Sequence, residues 1–182
     1  AYKAGESIAI NVNFDDKVYV TGTPQLTLET GTTDAVEDYS SGSESTTLTF
    51  NYTVASTHNS SDLDYTSTSA LALNSGTVKD SLGNAATLTL TLASPGASGS
   101  LGGNKAIVID GNAPTVTSVI SPNDDGYYTA GDQLSFYVFF SEDMTVTGTP
   151  QLTLETGSTD ALADYAGALT GVNALIFSYT VA

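Results

Sequence analysis

Carboxylate and amide side chains recur in short polar turns of this 182-residue chain. Asp80 and Asn84, for example, stand four positions apart with a glycine between them. Calcium takes about six to eight oxygen ligands from carboxylates, amides and backbone carbonyls, usually on loops. These turns therefore predict calcium binding. The candidate ligands are Asp16, Asp62, Asp64, Asp80, Asn84, Asp110, Asn112, Glu142 and Asp143.

The same residue types also suit turns for backbone reasons alone, because Asp, Asn and Gly readily adopt turn conformations. Neither an EF-hand loop nor a glycine-rich calcium nonapeptide is present in the sequence. We favour Asp110 among the candidates. It lies in the polar run that precedes Pro114, where a divalent ion would neutralise acidic loops that face each other.

Catalytic side chains are scarce. His58 is the only histidine, and its Asn- and Ser-rich surroundings predict a solvated loop residue. The chain has no cysteine, arginine or tryptophan, so thiol nucleophiles, Cys-based zinc sites, disulfides and arginine clamps are excluded. Paired carboxylates could run glycoside hydrolysis, but here they sit in turns without an aromatic cleft nearby. We therefore do not expect an enzyme.

The charge balance restricts the partners. Twenty Asp and Glu residues stand against four lysines, giving a net charge of −16. Such a surface repels phosphate backbones and anionic headgroups, so we expect no nucleic-acid partner. No apolar run approaches the length of a membrane span, so we expect no membrane insertion. The opening residues AYKAGES do not form a signal peptide, so an export signal is expected elsewhere, or the sequence is a fragment.

An internal duplication is the strongest feature of the sequence. The twelve residues VTGTPQLTLETG at 20–31 recur unchanged at 146–157, which is 126 positions later. After one inserted residue, LTFNYTVA at 48–55 matches LIFSYTVA at 175–182. Self-similarity at a fixed period is the signature of a repeat protein.

The polar run DGNAP at 110–114 marks a hinge between two strand-like runs. We place the module boundary there, with a first module at 1–111 and a second at 112–182. By alignment, the first module lacks a counterpart of 112–126, and the second lacks everything after its YTVA strand. The sequence is therefore expected to be part of a longer array.

Alternation of apolar and polar residues predicts short strands separated by Gly, Asn, Asp and Pro turns. No stretch carries a helical stripe. The segment SPGASGSLGG at 94–103 is expected to be an exposed loop. We predict an all-β fold of tandem immunoglobulin-like antiparallel β-sandwich modules, with a β-barrel as the alternative. The clearest alternating runs are 8–14, 26–28, 48–54, 71–73, 88–92, 107–109, 134–140 and 176–181.

The chain resembles the immunoglobulin-like, cadherin-like tandem repeats of giant bacterial surface adhesins, of the type I secreted, biofilm-associated kind. The resemblance implies an extracellular extender module at the cell surface, stiffened by calcium at loops and hinges, that serves adhesion. In the first module, Asp16 and Lys17 replace Glu142 and Asp143, so that turn departs from the pattern. The resemblance rests on VTGTPQLTLETG, FSEDM at 140–144, DLDY at 62–65, VKDSLGNAA at 78–86 and VIDGNAP at 108–114.

Three hypotheses follow for the function. The first is a structural extender whose partners are neighbouring repeats of the same chain. The second is a module whose loops bind a glycan or a protein. The third is a subunit of an extracellular filament, with homotypic contacts in which a neighbouring chain supplies the missing opening strand.

Overall fold

The computed structural model describes residues 1–82 and 90–182. The chain is nearly all β, with antiparallel sheets in a sandwich-like arrangement, which confirms the predicted fold class at that level. Contacts divide it into two compact units, Ala1–Asn112 and Ala113–Ala182. Among the described residues, no helix is long and apolar enough to cross a membrane.

The first unit is built around a six-stranded sheet with the strand order β7-β3-β4-β5-β2-β8. A small sheet of order β1-β9-β6 accompanies it, and its β1–β9 pair is parallel. The elements are β1 (Tyr2–Lys3), β2 (Ser7–Thr21), β3 (Gln25–Leu28), β4 (Ala35–Ser41), β5 (Ser45–Thr53), β6 (Asn59–Ser60), β7 (Leu71–Ala72), β8 (Thr77–Lys79), the helical turn α1 (Leu101–Asn104) and β9 (Ile109–Asp110).

The second unit contains one five-stranded antiparallel sheet with the strand order β10-β11-β14-β13-β12. Its strands are β10 (Val116–Ile120), β11 (Gln133–Phe140), β12 (Gln151–Leu154), β13 (Ala161–Ala168) and β14 (Ala174–Thr180).

The duplicated sequence has the same register in both units. Gln25 lies opposite Asp38 in the β3–β4 pair, and Gln151 lies opposite Asp164 in the β12–β13 pair. In each pair the glutamine Nε2 donates to the aspartate Oδ1, at 2.9 Å and 2.7 Å respectively. Repeated residues therefore form repeated contacts.

An aromatic pair repeats as well. The rings of Tyr39 and Phe50 meet edge-on with centroids 6.4 Å apart, and those of Tyr165 and Phe177 do so at 6.2 Å. Each tyrosine directly precedes a register shift in its strand pairing. A β-bulge changes the direction of a strand, and in both sheets it occurs at the same point of the repeat.

The core of the first unit follows from the alternation along β5. Leu48, Phe50 and Tyr52 are fully buried, while the residues between them point outward. On the other side of this core, Leu63 and Ile109 are also buried and belong to the same cluster. Successive side chains of a strand point to opposite faces, so these apolar residues of β5 share one face, and that face packs into the core.

The second unit has a smaller core, formed by Val138, Ala163, Leu175 and Phe177. The reason is visible at β12, whose two leucines are only partly buried. Their counterparts in β3 are at most 1% exposed, because residues after position 60 pack over them in the first unit. The second unit has one sheet and no such layer in the described residues.

The segment 94–103 differs from the expected exposed loop at its end. Residues 94–99 are exposed, but Ser100 is fully buried and caps α1, with its hydroxyl accepting from Gly103 N at 2.9 Å. A serine hydroxyl at this position satisfies an otherwise free N–H of the first helical turn. A Cβ on Gly103 would come within 2.1 Å of the Ala97 carbonyl, so the turn needs glycine there.

Candidate functional site

The predicted calcium ligands are distributed over separate parts of the chain. Among residues 1–82 and 90–182, no three His, Asp or Glu side chains come together in a group that could hold a metal ion. Calcium binding at these positions therefore stays a prediction. Asp16 lies in β2, Asp62 and Asp64 between β6 and β7, Asp80 after β8, Asp110 and Asn112 at the end of the first unit, and Glu142 and Asp143 after β11, while Asn84 lies outside the described residues.

The carboxylate of Asp64 accepts several hydrogen bonds. Its Oδ1 accepts from Tyr65 N at 2.9 Å, and its Oδ2 accepts from Gly96 N at 2.9 Å. The Ser100 hydroxyl and the Gly102 N–H donate to it as well. The side chain is 8% exposed, so these four donors replace the water that it loses on folding.

The hydrogen bonds around Asp64 decide its protonation state. Burial by itself would raise the pKa of the Asp64 carboxyl. The donors from Gly96, Ser100, Tyr65 and Gly102 stabilise the charged form, and together they lower the pKa below its ordinary value. Asp64 is consequently a buried anion that the protein itself solvates.

Asp62 and its neighbours hold the same segment. Asp62 Oδ1 accepts from Ile107 N at 3.3 Å, and Leu63 N donates to Ile107 O at 2.7 Å. The Tyr65 hydroxyl donates to Ala93 O at 2.6 Å. The turn at 62–65 therefore fastens residues 93–107 to the first unit. We name this set of contacts the Asp64 clasp.

Sequence reasoning selected Asp62 and Asp64 as calcium ligands but missed this internal role. The signal that could have shown it is the run of Ser100, Gly102 and Gly103, a capping serine followed by glycines that permit close approach. A Cβ on Gly102 would lie 3.0 Å from Asp64 Oδ2, so the carboxylate and this glycine are in tight contact. Each aspartate has a partner more than thirty residues away, which no local pattern reveals.

Asp16 and Asp80 make local turn-type hydrogen bonds. Asp16 Oδ1 accepts from Lys17 N at 2.7 Å, and Asp80 Oδ1 accepts from Leu82 N at 2.9 Å. Bonds of this kind, from a side chain to a backbone N–H one or two residues on, are what make Asp common in turns. Both side chains therefore stabilise the local backbone. Their role as metal ligands stays a prediction.

Asp110 lies in β9, opposite Lys3 of β1 and Asn59 of β6, with an exposed side chain. The following Gly111 is buried, and its N–H donates to His58 O at 2.8 Å. A Cβ on Gly111 would come within 2.1 Å of the Ala55 carbonyl. The end of the first unit is thus held against the turn that follows β5.

His58 is buried, which corrects the expectation of a solvated loop residue. It is 9% exposed, and its ring stacks on Tyr52 with centroids 5.7 Å apart. Its Nδ1 accepts from Ala55 N at 3.3 Å and lies 3.0 Å from the Tyr52 hydroxyl. A backbone N–H can only donate, so Nδ1 carries no proton, and the Tyr52 hydroxyl donates to it too. The turn after β5 folds the ring back over the strand end, which local composition did not indicate.

The buried Tyr52 and the partly buried Glu37 form a titratable pair in the first unit. Burial, followed by the charge of Glu37, raises the pKa of Tyr52 to about 12. Burial and then the neighbouring Asp38 raise the pKa of Glu37. Folding therefore disfavours the charged form of both groups. A phenol with so high a pKa is a poor proton donor to a substrate at neutral pH.

A groove runs beside β2 in the first unit. It has a volume of about 740 Å³ and is lined by the six consecutive residues 8–13 of β2. Consecutive strand residues point to opposite faces, so a groove that contacts all of them follows the edge of the strand. Leu92, Leu101 and Ile107 line it from the other side.

No protein-family model, curated protein or solved structure matches the chain.

Proposed function

We propose that the chain is a structural extender of a bacterial cell-surface adhesin, built from tandem immunoglobulin-like modules. The observation that supports this most directly is the recurrence of one sheet in both units. The pairs Gln25–Asp38 and Gln151–Asp164 have the same register and the same side-chain hydrogen bond. Repeats of one fold, each of which contacts only its neighbours, are typical of elongated proteins.

The surface chemistry agrees with an extracellular spacer. A net charge of −16 keeps neighbouring modules soluble and apart, and it disfavours nucleic acid and anionic membranes as partners. Neighbouring repeats of the same chain are the partners we propose. The lone histidine is engaged by Tyr52 and Ala55, and so we propose no catalytic role for it.

Length is directly measurable. In chains of two, four and six copies of the 126-residue period, we expect the maximum dimension from small-angle X-ray scattering to grow in proportion to copy number. A spacer must keep that proportionality, because each repeat contacts only its neighbours. A maximum dimension that levels off as copies are added would mean that the modules collapse on one another, and the extender proposal would fail.

We further propose that calcium stiffens the array at Asp110 and Asn112 and at the acidic turns. A metal that binds only the folded state raises the unfolding midpoint by mass action. We therefore expect a higher midpoint in calcium than in excess chelator. We expect no comparable rise in magnesium, because this ion demands octahedral geometry and loses its bound water reluctantly. The variant Asp110→Asn should lose part of the rise, whereas Asp34→Asn, remote from the proposed ligands in sequence, should keep it. An unchanged midpoint would remove calcium from the proposal and leave the extender role standing.

A further inference from the structure

The outer edge of β11, which faces away from β14, is occupied by β10. The pairing is antiparallel and runs from Val116 opposite Phe140 to Ile120 opposite Tyr137. Directly opposed residues share a face, so Val119 lies beside the buried Val138 on the inner face. The strand satisfies backbone groups that an edge would otherwise leave open.

The loop after β10 completes the cover of this edge. Asn123 Oδ1 accepts from Ser135 N at 2.9 Å, and Ser121 Oγ donates to Ser135 O at 2.8 Å. Asn123 Nδ2 donates to Gln133 O at 3.4 Å. The backbone groups of Ser135 thus point outward, and by the period of two those of Tyr137 and Phe139 do as well.

The same edge exists in β2. The offset of 126 maps Ser135, Tyr137 and Phe139 onto Ala9, Asn11 and Asn13. β2 pairs with β5 as β11 pairs with β14, so these three residues also turn their N–H and C=O groups away from the sheet. In the part of the chain that the structure describes, no strand pairs with them on that side, and β8 meets β2 only from Tyr19 to Thr21.

The groove beside β2 offers this edge an apolar wall that β11 lacks. In the second unit, Val116, Val119 and Ile120 of β10 are about half exposed, at 57%, 52% and 48%. In the first unit, a strand at the corresponding place would lie against the wall formed by Leu92 and Leu101. Apolar area removed from water stabilises by roughly 25 cal/mol per Å². The edge of β2 is therefore the better of the two sites for such a strand.

We infer that residues 7–14 of β2 are a binding site for an antiparallel strand of the β10 type. The register transferred from β11 sets Val116 opposite Phe14, Val119 opposite Val12 and Ile120 opposite Asn11. The occupant we infer is a strand with the sequence 112–126, because the offset of 126 aligns Tyr127 with Ala1, so that such a strand would lead directly into Ala1 and Tyr2. The β10 of a second copy is a poorer source, since it would first have to leave β11. The source of the strand rests on the proposed function, in which repeats follow one another. The binding site itself rests only on the geometry of the first unit.

The test joins a copy of residues 112–126 to Ala1 of the full chain and measures amide hydrogen exchange. We expect the Ala9, Asn11 and Asn13 amides to exchange at least about tenfold more slowly with the added strand, since the ladder protects them from solvent. A matched control carries Ser118→Pro and Ile120→Pro in the added copy. These prolines remove the two N–H groups that face the ladder, so they should abolish the protection.

Two results would overturn the inference. One is an edge already protected in the unextended chain, and the other is an edge unchanged by the addition. Dimerisation of the unextended chain, lost on extension, would assign the strand to a second copy and refute the source in the same chain. The Ser135 amide serves as an internal standard, because it is covered in every variant. These measurements report only on the edge of β2, whereas the scattering experiment reports on the length of an array. Failure of this inference can therefore be distinguished from failure of the extender proposal.

Discussion

The Asp64 carboxylate accepts a hydrogen bond from the Gly96 backbone N–H at 2.9 Å, across 32 positions of sequence. With the Ser100 hydroxyl and the Gly102 N–H, it closes the Asp64 clasp over a segment that carries little regular structure. A charged acceptor for several backbone donors is among the stronger hydrogen-bond arrangements in proteins.

Asp64→Asn should therefore destabilise the first unit. An amide keeps the shape but loses the charge and presents N–H groups to N–H donors, so we expect a loss of about 1.5–3 kcal/mol in the free energy of unfolding. Denaturant titration of the full chain measures it. The control is Asp62→Asn, which alters one exposed hydrogen bond of 3.3 Å and should cost clearly less. Equal losses in the two variants would contradict the leading role of the Asp64 carboxylate within the clasp.

The lowered pKa of Asp64 predicts acid sensitivity. A carboxyl whose pKa in the folded state is below its unfolded value contributes stability above the unfolded value, about 3.9, and loses it as pH falls toward the folded value. The first unit should thus weaken below about pH 4. In Asp64→Asn the pH dependence over this range should be shallower, as followed by chemical denaturation at several pH values. A variant as steep as the parent would assign the acid sensitivity to other carboxyls.

Glu37→Ala should stabilise the first unit at neutral pH. Glu37 is partly buried opposite Leu26, and its pKa is raised, so its charged form is disfavoured by folding. A raised carboxyl pKa means that stability falls as pH rises through it, and the gain from alanine should therefore shrink in acid. The second unit already has Ala163 at this register, opposite Leu152.

The comparison for Glu37→Ala is Asp164→Ala in the second unit, whose carboxylate accepts from Gln151 as Asp38 accepts from Gln25. Removal of Asp164 breaks one exposed hydrogen bond and should be neutral or slightly destabilising. Thermal unfolding at about pH 4 and pH 7 tests whether the gain from Glu37→Ala shrinks in acid, as the raised pKa of Glu37 requires. A Glu37→Ala variant that is less stable at neutral pH would show that the carboxylate is engaged favourably.

Gly111→Ala should disrupt the end of the first unit. The added Cβ would lie 2.1 Å from Ala55 O and 2.7 Å from His58 O, and backbone atoms cannot yield as a flexible side chain does. We expect a loss of about 1–3 kcal/mol, as for overpacked sites. Gly126→Ala is the matched control, because nothing lies within 4 Å of its Cβ position. Loss of the His58 ring shift from Tyr52 in proton NMR would locate the damage in the turn after β5.

The sheets could be predicted from sequence because their signal is local. In β5, polar residues alternate with Leu48, Phe50 and Tyr52, and that alternation alone fixes strand and face. The turn expected around Asp16 was not found as such, because β2 continues through it to Thr21 with a register shift between Asn13 and Val18. Local composition identified polar residues there but not the strand that contains them.

The site residues were less predictable because their partners are distant. Asp64 was selected for its oxygens, but three of its four donors lie between Gly96 and Gly102, which only the folded chain brings near. His58 was expected in solvent, and its burial depends on the turn that returns it to Tyr52. The polar residues of a turn indicate which groups they can bind, but the fold determines which groups they contact.

The identical register of β3 and β12 has a consequence for refolding. Both strands have the sequence QLTL, so each can pair with either β4 or β13 without a change in its own side chains. Adjacent copies of one fold are prone to such exchange during folding. Their partners differ at the inner face, where β4 has Glu37 and β13 has Ala163. A leucine would face Glu37 whichever of the two strands paired with β4, so the inner face does not select the correct partner. The short connections 29–34 and 155–160 therefore select it, because each keeps a strand beside its own partner, and lengthening one of them should raise the yield of strand-swapped molecules.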